Sequence, residues 1–64
     1  MTMTELKEHP PDVKIRIRGK DYVGHIRGRL LDFPMVYVHE LDASYEYSWL
    51  TLLDAVNHNV ILTI

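Results

Sequence analysis

The chain has 64 residues, 47% of them apolar, enough for one domain whose core is too small to stand easily without a staple. It has no Cys, which excludes disulfides, and its His residues (His9, His25, His39, His58) are scattered singly, which argues against structural zinc. A net charge of -2 excludes binding to polyanions by charge alone, yet all 7 Lys and Arg lie in the first half of the chain.

Thr4 is a candidate N-cap for one helical turn over Glu5 to Glu8, stopped by Pro10-Pro11. Residues 1–12 thus read as an arm or short helix ahead of a barrel over residues 13–64. From Val13 the pattern has period two, with Val13, Ile15 and Ile17 on one side and Lys14, Arg16 and Arg18 on the other, the signature of a half-buried strand. Gly19-Lys20-Asp21 supplies a turn. Tyr22, Gly24, Ile26, Gly28 and Leu30 then continue the apolar face opposite His25, Arg27 and Arg29, so two cationic rows are expected to meet on one side of a hairpin. Gly24 and Gly28 mark places where the sheet bends, which suggests a barrel. Asp32-Phe33-Pro34 breaks the run. Met35 to Leu41 is expected as a third strand and Tyr45 to Trp49 as a fourth, with Tyr45, Tyr47 and Trp49 on one face. Residues 50–56 read as the fourth strand running on into one helical turn. Asn57-His58-Asn59 is a turn, and Val60 to Ile64 is an uncharged last strand that needs covering, either by closing the barrel or by pairing with a neighbouring copy.

The expected class is therefore mostly β: a five-stranded, strongly bent SH3-like small barrel with a short N-terminal helical turn. Within it, Gly19-x-x-Tyr22-x-Gly24-x-Ile26 followed by Asp32-x-x-Met35 resembles the first motif of the Sm/LSm family. Asn57-His58-Asn59-Val60-x-x-x-Ile64 resembles its second motif, with His58 placed as in the Hfq-like branch. Ile26 to Asp32 is longer than in the family, and Pro34, Val36 and Val56-Asn57 stand where it has an aromatic, an Asn and Arg-Gly, so its uridine pocket does not carry over intact. The resemblance implies a homo-oligomeric ring of roughly five to seven subunits closed by cyclic symmetry. In it the fourth strand of one copy pairs with the fifth of the next, and single-stranded RNA, or DNA less readily, binds near the pore. Phe33 would stack on a base and Asn57, His58 and Asn59 would read base edges, with Asp32 ordering its loop. Lys14, Arg16, Arg18, Arg27 and Arg29 would form a repeated basic belt. Tyr47, Trp49, Val60, Ile61, Leu62 and Ile64 are the expected subunit interface.

Blander readings compete. The strand cations are also what the solvated side of any half-buried strand looks like, Phe33 also suits a plug against its own barrel, and His58 also suits a plain turn. No nucleophile with a paired base, no spaced carboxylate pair and no phosphate-cradling glycine loop is present, so a non-catalytic protein without cofactor or metal is expected. No stretch nears the roughly 20 apolar residues that span a bilayer, and Met1 to Glu5 is not a secretion signal, so a cytoplasmic protein with no membrane partner is expected. The alternative function is an SH3-like protein-interaction barrel, docking through its Tyr/Trp strand and acidic half.

Overall fold

The computed structural model describes residues 1–28 and 33–64, and the alternation in the sequence is its organising pattern. Arg29 and Asp32 lie outside the described residues, and with them the binding and loop-ordering roles expected of them. Strand β1 (Asp12–Ile17) turns Val13 and Ile15 into the core and Asp12, Lys14 and Arg16 to solvent. Arg18 and Gly19, both at positive φ (52° and 79°), connect it to β2 (Lys20–Arg27), with Ile17 opposite Lys20, Ile15 opposite Tyr22 and Val13 opposite Gly24. Positive φ at both central residues gives a tight turn the twist that antiparallel strands need.

Strand β3 (Met35–Val38) is shorter than the expected Met35 to Leu41, because the chain winds into a 3-10 turn over His39–Leu41. Asp42, at φ 48°, ends that turn and accepts a hydrogen bond from the Tyr37 hydroxyl (2.8 Å). Strand β4 (Ala43–Glu46) then returns antiparallel to β3, pairing Val36 with Tyr45.

The expected strand from Tyr45 through Trp49 ends at Glu46. Residues Trp49–His58 form a helix, α2, in place of a strand running on into one helical turn. Trp49, Leu52, Leu53 and Val56 fall at i, i+3, i+4 and i+7, one helical face, and Ser48 caps it by accepting the Thr51 N–H (3.1 Å). Leu52 is fully buried and Ala55 nearly so. Asn57 and His58 are thus helical, and only Asn59 turns. It stops the helix at φ 52°, and Val60 N–H reaches back to the Ala55 carbonyl (3.0 Å).

The last strand, β5, is confined to Leu62–Thr63 and pairs parallel with β1, Ile15 beside Leu62 and Arg16 beside Thr63. Five mixed strands in the order β4-β3-β2-β1-β5 thus make one strongly curled half-barrel. The N-terminal helix, α1 (Met3–Glu8), is capped by Thr2 rather than Thr4. The Thr2 side chain accepts the Glu5 N–H and Glu5 accepts the Thr2 N–H, each at 3.2 Å. That backbone bond holds the Glu5 carboxyl below its usual range. α1 packs beside α2 and buries Leu6 completely, so Leu6, Leu52 and Ala55 roof the core made by Val13, Ile15, Ile26, Val36, Val38 and Leu62. Among the described residues no helix is long and apolar enough to cross a membrane.

Candidate nucleic-acid interface

The outer face of the sheet carries the strand cations, but the register slides the two rows past each other. Lys14 and Arg16 stand opposite Val23 and Asp21. Arg27 is six residues further along β2 than Asp21, about 20 Å of strand, and lies beside Met35 of β3 instead. Among the described residues the rows therefore do not meet: Lys14 and Arg16 stand toward the hairpin and Arg27 toward the other end of β2.

Internal pairing thins the charge further. Arg16 grips Asp21 with two hydrogen bonds, Nε to Oδ1 at 2.7 Å and Nη2 to Oδ2 at 3.2 Å. That contact pushes the Asp21 carboxyl below its usual range and the Arg16 guanidinium above its own. Arg27 stacks on the Tyr37 ring, 4.2 Å from its centroid, and the Tyr37 phenol is raised first by its hydrogen bond to Asp42. His25 Nδ1 lies 2.9 Å from Asp12 Oδ1. Lys14 and Arg18 make no ion pair among the described residues, and Lys20 has only Glu40 at 3.9 Å. Among the described residues the cations outside a tight ion pair are Lys7 and Arg27, each over an aromatic ring, and Lys14, Arg18 and Lys20, the last three together on the β1–β2 hairpin.

Phe33 is 71% exposed and stands just before Pro34, whose carbonyl accepts the Tyr47 N–H (3.2 Å). Pro34 and Trp49 both crowd Gly28, at 3.2 Å and 2.9 Å from where a Cβ would sit, which places this segment at the first turn of α2. Asn57, His58 and Asn59 occupy the other end of that helix, about 15 Å away for ten residues. Within one chain the two expected pore loops are therefore not brought together. The Asn57 side chain donates to the Met1 carbonyl (3.0 Å), His58 lies 3.6 Å from Asp54, and Asn59 ends the helix.

Of the expected interface residues, Leu62 turns its side chain into the core, while its backbone lies on the open edge of the sheet. Tyr47 is half-buried; its hydroxyl donates to the Thr63 carbonyl (3.1 Å), and burial, then the neighbouring Tyr45, raises its phenol. Trp49 lies under Lys7, 5.5 Å from the ring centroid. Ile61 is half-buried, whereas Val60 and Ile64 are exposed.

Lys20, like Lys7, lies outside the expected basic belt because it falls in the expected turn. The alternation holds its signal: counting on from Tyr22 and Gly24 places residue 20 on the inward side, and its pairing with Ile17 puts it there. Comparison with family models, with curated proteins and with solved structures finds no match to this chain.

Proposed function

We propose that this is a non-catalytic small barrel that binds single-stranded nucleic acid, RNA in preference to DNA, through the β1–β2 hairpin. The observation that carries the reading is the placement of Lys14, Arg18 and Lys20 on that one element, without tight carboxylate partners, in a protein whose net charge is negative. Phosphate binding needs cations that are not already neutralised, and three of them stand on this one ribbon. Away from the hairpin, Glu46 and Asp54 disfavour a polyanion on the second half of the chain.

Self-association belongs to the same proposal. The open sheet ends in two different edges, β4 and β5, and a head-to-tail contact between unlike edges closes into a ring when the rotation allows it. Repetition of the hairpin around such a ring multiplies weak contacts without new chemistry.

The test is fluorescence anisotropy of labelled oligouridine, oligoadenine and duplex DNA against the purified chain. Binding of the single strands at micromolar protein, tighter than to duplex, is the expected result. Absence of binding to all three, together with recovery of a stable protein partner at low salt, would favour the protein-docking reading instead.

A further inference from the structure

The concave face of the half-barrel is roofed over only part of its length. Toward the middle of the strands, Val13, Ile15, Ile26, Val36 and Val38 are buried with Leu6, Leu52 and Ala55 of the two helices. The inward face continues through Ile17 and Tyr22 at the hairpin end and through Ala43 and Tyr45 on β4, all of which stay half-buried. With Leu41 they wall an open cavity of about 530 Å³ that no residue of α1 or α2 lines. That size falls within the roughly 300–1,000 Å³ of small-ligand sites.

The rim is cationic. Arg18 and Lys20 line the same cavity. Lys20 Nζ lies 5.1 Å from the centroid of the Tyr22 ring, and its contact with Glu40 is long and solvent-exposed, a pairing that an incoming phosphate displaces at little cost. Arg18 sits at φ 52°, in a turn position that Asn or Gly fills with far less strain. A cation held there against local preference points to a role for the side chain rather than for the turn.

We propose that this cavity takes one nucleotide unit, with its base laid against Tyr22 and Tyr45 and its phosphate held between Arg18 and Lys20. The inference rests on the single-strand reading above and gives it a site on the concave side of the hairpin. Tyrosine rings stack on any base, the Arg guanidinium reaches two phosphate oxygens at once, and the Lys ammonium adds a point charge beside them. The shared chemistry, a flat heterocycle bearing a phosphate, occurs both within a strand and in a free nucleoside monophosphate.

The experiment follows the tyrosine ring resonances of the full chain by NMR while oligouridine and, separately, uridine monophosphate are added, alongside anisotropy of the oligonucleotide. Tyr22 and Tyr45 signals are expected to move with both probes, and Arg18→Gln with Lys20→Gln to weaken oligouridine binding at least tenfold. Movement with the strand alone supports a site for a unit within a chain. Oligouridine binding that leaves both tyrosines unmoved overturns the cavity assignment while sparing the wider reading. Movement with the monophosphate but no binding of the strand overturns the single-strand reading and leaves a free-nucleotide site. No response to either probe overturns both.

Discussion

Val36 on β3 rests directly against the bare Cα of Gly24 on β2: a methyl group at position 24 would interpenetrate Val36 Cγ1. Gly24 faces inward opposite Val13, and the absence of a side chain there is what lets Val36 pack so closely over β2. Gly24→Ala forces a shift in a close-packed region and is expected to cost about 1–3 kcal/mol, read as a lower urea midpoint at unchanged slope. A neutral result would mean that the packing of Val36 over β2 does not depend on this position.

Arg18 offers the opposite sign. Its left-handed backbone is strained for an L-residue with a long side chain, and Asn tolerates it. Arg18→Asn is expected to stabilise the fold by about 0.5–1 kcal/mol while weakening oligonucleotide binding. Urea titration and anisotropy on the same variant check both halves; loss of stability would show that Arg18 serves the fold.

Helix α2 depends on its first turn. Ser48→Ala leaves the Thr51 N–H without its acceptor and should cost about 1 kcal/mol. Leu52→Ala, by emptying a fully buried site between α2 and the sheet, should cost about 2–5 kcal/mol. Thermal unfolding that ranks these two the other way would contradict the packing described.

The Tyr47 phenol, raised by burial, ties stability to alkaline pH. A group whose proton is held more tightly in the folded state contributes stability below its unfolded value near 10 and loses it as pH rises through the folded value. Wild-type stability should therefore fall above about pH 10, and Tyr47→Phe should flatten part of that fall, leaving the part due to Tyr37, which is raised as well. The urea midpoint between pH 8 and pH 11 measures the difference. At the acid end the sign reverses: Asp21, held low by Arg16, contributes stability that is lost as pH drops below the usual carboxylate range.

Much of the half-barrel was legible in the sequence. Strict alternation assigns the inward side of β1 and β2, as their burial shows. The helix α2 was obscured because Tyr45, Tyr47 and Trp49 share period-two spacing, which drew Trp49 into the strand, although Trp49, Leu52, Leu53 and Val56 also fit a helix. The parallel pairing of β5 with β1 follows from that helix, since ten residues of α2 carry the chain back across the core before it re-enters the sheet. Register is what alternation leaves open: it assigns faces, and only the pairing of Arg16 with Asp21 shows that the cationic rows are offset. The cavity beside Tyr22 was hidden for the same reason, because it depends on how far two helices reach along the concave face.

Self-association through β4 and β5 predicts a solution mass that is a multiple of 7.5 kDa. Light scattering at micromolar concentration measures it directly. A particle of one chain would remove the ring and leave each hairpin to bind by itself.

The most direct measurement of the central claim is the salt dependence of oligouridine affinity. Two phosphates, one at Lys14 and one shared by Arg18 and Lys20, give a slope of log K against log salt of about -1.4 per hairpin, reduced by about 0.7 when Lys14, or Arg18 and Lys20 together, are replaced by Gln. A slope near zero, or one unchanged when Arg18 and Lys20 are replaced, would contradict the account.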